Sequence, residues 1–169
     1  MAKWKRSVLV LFVIVACVGC DQFTKRMAES HLPRVKVLSF AGDTLRFDYF
    51  ENKGGVFFFE DALPKEWRGT TLTVATAFFL GLLVVYLFLA PTLRLLWVLG
   101  LSLLCGGALS NLLDRVLFGG YVIDFLSLGW NGFRTWIFNL ADAAIVAGSF
   151  LSVLGIAWDL YRHLSVPGD

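Results

Sequence analysis

Apolar positions along this chain follow two rhythms. Long runs with almost no charge occupy residues 4–20, 69–93, 95–113 and 136–158, each near the roughly 20 apolar residues a helix needs to cross a bilayer while satisfying its own backbone. They predict transmembrane helices at about 4–20, 71–91, 95–113 and 136–158, with Pro91 closing the second and Asp114–Arg115 stopping the third. Residues 35–50 alternate instead. Val35, Val37, Leu45, Phe47 and Tyr49 share odd positions around a Gly42–Asp43 turn, which predicts a small hairpin or sheet. Residues 56–59 and the following EDALPKEW read as an aromatic interfacial segment with a short amphipathic helix. The predicted fold class is a mainly α membrane protein of four transmembrane helices, with a small extramembrane β-sheet and a short interfacial helix in the first loop. The whole of 1–169 reads as a single integral membrane domain, with residues 21–70 as its one sizeable polar loop.

Composition strengthens this picture. Of 169 residues, 57% are hydrophobic and 17% charged, and the mean hydropathy is +0.71, values that exclude a soluble globule or a disordered chain. A net charge of +2 is too small to imply nucleic acid. Its placement says more. Lys3, Lys5 and Arg6 precede the first span, Arg94 lies between the second and third, and Arg162 follows the fourth, so both termini are expected to be cytoplasmic. Loop 21–68 carries eight Lys/Arg against eight Asp/Glu and is expected on the opposite, periplasmic side.

The N-terminus admits a competing reading. A basic start, an apolar stretch and Val18-Gly19-Cys20 resemble a secretory signal ending in a lipobox, in which Cys20 would become a lipidated N-terminus. Cys17 stands where Leu is usual, and three further spans suit an integral protein better. Cys17, Cys20 and Cys105 are too scattered for a disulfide or metal framework.

Ionisable residues in a membrane are expensive, about 2.5–3.5 kcal/mol each at a helix centre, so each needs a reason. Asp114 has one in its neighbour Arg115, and reads as a helix-end acid at a polar interface. Asp124 and Asp142 have no cation within four residues. If the segment carrying Asp124 folds against the fourth helix, the two carboxyls can share one proton and act as an aspartic-protease pair. The same residues could instead make a helix–helix hydrogen bond. Asn139 lies three residues from Asp142 and Asn111 four from Arg115, so each pair could share a helical face, while Gly106, Gly107 and Ser110 allow close helix approach. Zinc, P-loop and Gly-x-Ser-x-Gly patterns are absent, and His31 and His163 are far apart, so no metal or cofactor is implied.

At these residues the chain resembles lipoprotein signal peptidase (signal peptidase II), a bacterial inner-membrane aspartyl peptidase family. The likeness runs through Asp21-Gln-Phe-Thr-Lys25, Asn52-Lys-Gly54 with Phe57, the stretch from Gly107 to Arg115, Val122-Ile-Asp-Phe125 and Phe138-Asn-Leu-Ala-Asp142. It implies Asp124 and Asp142 as the catalytic pair, with Asp21, Asn52, Gly54, Asn111, Arg115 and Asn139 supporting the site or holding substrate. It further implies a diacylglyceryl-modified prolipoprotein as substrate, cleaved just before the lipidated Cys, together with globomycin binding, contact with membrane lipid, no nucleic acid and a monomer. One departure stands out: Asn52-Lys-Gly-Gly-Val-Phe-Phe58 is bulkier than the family's usual Asn-x-Gly-Ala-Ala-Phe, which bears on substrate range and inhibitor binding. A non-catalytic lipopeptide- or antibiotic-binding paralogue is the alternative function.

Overall fold

The computed structural model describes residues 1–34, 36–53, 65–90 and 93–165, apart from the side chains of 65, 66 and 68. Four long helices dominate: α1 (Lys3–His31), α2 (Lys65–Leu89), α3 (Leu95–Leu117) and α4 (Leu140–Ser165). Each contains a stretch long and apolar enough to cross a membrane. They alternate in direction, as three contacts show. Arg6 donates to the Phe88 carbonyl at 3.2 Å, Trp97 Nε1 donates to Asp159 at 3.1 Å, and the Ala141 amide reaches Asp21 at 2.8 Å.

Helix α3 is the axis of the bundle. Half of its most apolar window is buried, against 11%, 6% and 22% for α1, α2 and α4, whose remaining apolar faces are left for lipid. Small residues make that centrality possible. A Cβ at Gly107 would clash with the Ala141 carbonyl and come within 2.8 Å of Ile145, so only glycine lets α4 lie this close. Val10, Leu80, Leu87, Val98, Leu101 and Cys105 form the apolar core between α1, α2 and α3.

The alternation at 35–50 becomes a hairpin of β1 (Leu38–Phe40) and β2 (Leu45–Asn52), turning through Ala41, Gly42 and Asp43, all at positive φ. Two further strands, β3 (Val122–Trp130) and β4 (Phe133–Arg134), complete an antiparallel sheet in the order β1-β2-β3-β4. Asp43 pins the hairpins together. It accepts from Ser39, Arg46 and Arg134, and its hydrogen bonds with Arg46 and Ser39 hold its carboxyl well below the usual carboxylate range.

Several boundaries differ from expectation. The first helix does not end at residue 20 but continues through His31, because the polar groups that should have stopped it, Asp21 and Lys25, find partners inside the bundle. Asp21 therefore belongs to α1 rather than to the outer loop. Residues 136–139 lie outside α4, since the chain there pairs with β3 through a bridge between Leu126 and Phe138. Residues 56–64, where the interfacial segment was expected, and Gly54 fall outside the described residues, and 65–67 open α2.

Candidate functional site

Where the sheet meets the bundle, polar side chains from α1, α3, β2, β3 and the start of α4 converge. Asp124 sits on β3 and is 1% exposed. The sheet register pairs Phe50 with Asp124 and Asn52 with Val122, which makes Asn52 a diagonal neighbour of Asp124 on the same face. Asn52 Nδ2 accordingly donates to Asp124 Oδ2 at 3.0 Å.

The other edge of β3, opposite β2, receives the chain on its way into α4. The Phe138 carbonyl accepts from the amides of Phe125 and Leu126, at 3.1 and 2.8 Å, and the Phe138 amide donates to Leu126 at 2.8 Å. This bridge delivers Asn139 to the carboxyl of Asp124, where Nδ2 donates to Oδ1 at 2.7 Å and also lies 3.2 Å from the Ile123 carbonyl.

Asn139 has a second task. Its Oδ1 accepts from the Asp142 amide at 2.8 Å, while Asp142 Oδ2 accepts from the Asn139 amide at 3.2 Å. This is a reciprocal capping box, with Asn139 at the N-cap and Asp142 three residues on. The two were expected on one helical face, but Asn139 precedes the helix and their spacing serves its start. The N-terminus of a helix favours negative charge, so Asp142 occupies a position suited to a carboxylate.

Asn111 of α3 closes the circuit. Its Nδ2 donates to Asp142 Oδ1 at 2.8 Å, and its Oδ1 lies 3.2 Å from Asn139 Nδ2. Asp124 and Asp142 are thus both bound to Asn139, and Asn111 bonds Asp142 and Asn139. Burial is the largest influence on Asp124 and pushes its carboxyl up to about 7, the Asn52 hydrogen bond opposes this, and the charge of Asp142 adds to it.

Beside the pair lies a second group of acids. Lys25 Nζ is 2.7 Å from both Asp21 Oδ2 and Asp114 Oδ2 and donates to Asn111 Oδ1 at 2.9 Å. All three charged residues are at most 1% exposed. Asp21 also accepts from Ser110 Oγ at 2.7 Å and from the Ala141 amide at 2.8 Å. Asp114 accepts from Gln22 at 2.7 Å and from the Ile123 amide at 3.1 Å. The expected pairing of Asp114 with Arg115 is therefore replaced by one with Lys25, because adjacent residues on a helix point to different faces.

Arg115 is half-buried, and its Nε has no hydrogen-bond partner among the described residues. Its charge lies near those of Asp142, Asp114 and Asp124.

Of the expected site residues, the structure brings together Asp21, Asn52, Asn111, Arg115, Asp124, Asn139 and Asp142. Lys25 and Ser110 were not singled out as site residues. The i, i+4 spacing of Asp21 and Lys25 was the available signal for the lysine. Among the described residues, no group of three or more His, Cys, Asp or Glu side chains could hold a metal ion.

Comparison with known proteins agrees with this architecture. A family model described as signal peptidase (SPase) II matches residues 13–158. The lipoprotein signal peptidase of Moorella thermoacetica is 37% identical over 151 residues, spanning 89% of this chain and 91% of that one. That of Syntrophus aciditrophicus is 35% identical over 148 residues, 86% and 91% of the two chains. Two solved bacterial membrane enzymes share the fold: one at 24% identity, with a TM-score of 0.78 over 95% of this chain and 94% of the other, and one at 27%, with a TM-score of 0.73 over 87% and 91%.

Proposed function

The chain belongs to the signal peptidase II family, and from that premise we propose that it is an aspartic endopeptidase whose reacting groups are Asp124 and Asp142. Membership makes it a bacterial membrane hydrolase that processes prolipoproteins. The aspartic chemistry rests on one observation: Asn139 binds both carboxyls, through its side-chain amide to Asp124 and its backbone amide to Asp142, in a site where Asp124 is almost fully buried.

Asp124 starts as the acid, because burial favours its neutral form, and Asp142 starts as the base, at a helix N-terminus with Arg115 nearby. Asp142 takes a proton from a water as the water oxygen attacks the scissile carbonyl, and Asp124 gives its proton to the carbonyl oxygen. Collapse of the gem-diol breaks the C–N bond: the departing amine takes the proton held by Asp142, a diol hydroxyl returns its proton to Asp124 as the carbonyl re-forms, and the pair ends with one proton as it began. Asn52, Asn111 and Asn139 orient the carboxyls, Arg115 balances their charge, and Gly54 is assigned by the family pattern to substrate binding or site support.

The substrate in this reading is a diacylglyceryl-modified prolipoprotein cut just before its lipidated Cys. The exposed apolar faces of the helices support sideways entry of the acyl chains. Globomycin would bind at the same site. The basic residues at Lys3, Lys5, Arg6, Arg94 and Arg162 support an inner-membrane protein with both termini cytoplasmic and the carboxylates near the periplasmic face. The protein acts as one membrane peptidase domain and as a monomer.

Cleavage of a lipidated prolipoprotein by the purified protein tests the assignment. Asp124→Asn and Asp142→Asn should each lower kcat by about 10²–10⁴. Undiminished turnover in both variants would end the aspartic reading while leaving family membership intact.

A further inference from the structure

The end of the bundle farthest from the carboxylates holds a second site. Along α3, Arg94 precedes Asn111 by 17 residues, so this end lies about 25 Å from the acids at 1.5 Å per residue. A cavity of about 630 Å3 opens there, lined by Tyr86 of α2, Arg94 and Trp97 at the start of α3, and Asp159, Arg162 and His163 toward the end of α4. None of these residues takes part in the chemistry proposed above.

Asp159 organises the wall. It forms an ion pair with Arg94 and accepts from Trp97 Nε1 at 3.1 Å, which fixes a guanidinium and an indole from α3 against α4. With His163 neutral, Arg94 and Arg162 against Asp159 leave a net charge of +1. The first amides of α3, beside Arg94, add the positive end of a helix dipole, and Arg94 at the N-cap makes no side-chain cap hydrogen bond to them. A singly charged anion matches this balance better than a doubly charged one.

The surroundings indicate what carries that anion. Leu89, Leu160 and Leu164, flanking the cavity in sequence on α2 and α4, are 74%, 58% and 78% exposed on helices that face lipid. Basic pockets between transmembrane helices take anionic lipid head groups, and an indole suits the interface between head group and chain. We propose that this cavity binds an anionic phospholipid, with its phosphodiester between Arg94 and Arg162 and its acyl chains along the outer faces of α2 and α4. A lipid seated there would clamp α2, α3 and α4 at the end of the bundle that the sheet does not brace.

Native mass spectrometry of the full-length protein released from nanodiscs tests this. Phosphatidylglycerol should remain bound as one retained lipid, where phosphatidylcholine is lost. Arg162→Gln, which leaves the Arg94–Asp159 pair in place, should weaken retention about 5-fold, the equivalent of about 1 kcal/mol per basic side chain near an anionic lipid. Arg94→Gln with Arg162→Gln should weaken it further. Prolipoprotein cleavage by Arg162→Gln in phosphatidylcholine nanodiscs should match the parent, which separates this site from the peptidase reading. Equal retention of phosphatidylcholine, unchanged retention in Arg162→Gln, or displacement of the lipid by millimolar inorganic phosphate would each overturn the proposal, the last by making the cavity a free-phosphate site.

Discussion

Two pairs of aspartates lie within one polar cluster, and their surroundings treat them oppositely. Asp21 and Asp114 flank a buried ammonium, with Lys25 Nζ 2.7 Å from each. Asp124 and Asp142 instead receive hydrogen bonds from the amides of Asn52, Asn111 and Asn139. A cation between two carboxyls supplies a compensating charge and hydrogen bonds, which suits acids that hold helices together. Amides orient a carboxyl without adding a charge of their own, and at Asp124 burial and the neighbouring Asp142 push the proton affinity up. Burial alone therefore does not make an aspartate catalytic. The partner decides.

The comparison breaks most visibly in kinetics. Asp124→Asn and Asp142→Asn remove the proton carrier but keep the size and most of the hydrogen bonds, so kcat should fall by about 10²–10⁴ with little change in thermal stability. Asp114→Asn should do the reverse, retaining turnover to within about 10-fold while lowering the melting temperature. Loss of activity with full stability in Asp114→Asn would erase the distinction between the pairs.

Lys25→Met is the next largest effect. It leaves two carboxylates facing a buried methyl, and removal of one partner from a buried ion pair typically costs about 3–5 kcal/mol. Unfolding in mixed detergent micelles should show a loss of that order. Adding Asp114→Asn should restore part of it, since one uncompensated charge is then gone. Absence of any recovery in the double variant would mean that Lys25 acts through packing rather than charge.

The pH dependence separates the pairs more gently. Asp124 is raised to about 7 by burial, so its folded form binds a proton more tightly than the unfolded chain does. Its contribution to stability is then fully present below the unfolded carboxyl range near 4 and is lost as pH rises through about 7. Activity follows the same proton, and kcat should decline on the alkaline side of about 7. A melting profile between pH 4 and 7 that is equally steep in Asp124→Asn would remove Asp124 as its source.

Much of this contrast was legible in the sequence, and what was not has physical causes. Four runs of near-uniform apolarity announced four helices, because nothing else satisfies a backbone in lipid. The rarity of charge in the second half made Asp124 and Asp142 conspicuous. The extent of α1 was hidden, since Asp21 and Lys25 look like the onset of a loop until Asp114 and Ser110 are in place to receive them. Strand β3 was hidden as well: Val122-Ile-Asp-Phe-Leu126 lacks the alternation of a half-buried strand because its first four residues are all buried. Asn139 was noticed for its spacing, but Asn-x-x-Asp before an apolar run is also the signature of a capping box, and read that way it marks the start of α4 at Leu140 rather than at the expected residue 136.

The smallest effect is the most specific. Asn52 belongs to β2, on a different element from every other group that binds the carboxyls, and reaches Asp124 only because the strands pair with Asn52 opposite Val122. Its hydrogen bond favours the charged form of Asp124 and so opposes the upward push of burial. Asn52→Ala should then move the alkaline limb of the kcat profile upward, by up to about one pH unit, and Asn52→Asp should move it further by adding a like charge. The same substitutions should leave the Lys25 cluster untouched, since among the described residues Lys25, Asp21 and Asp114 are held by one another, Gln22, Ser110, Asn111 and the amides of Ile123 and Ala141. A shift toward lower pH in Asn52→Ala would mean that Asn52 stabilises the protonated carboxyl, and the roles of acid and base assigned to Asp124 and Asp142 would have to be exchanged.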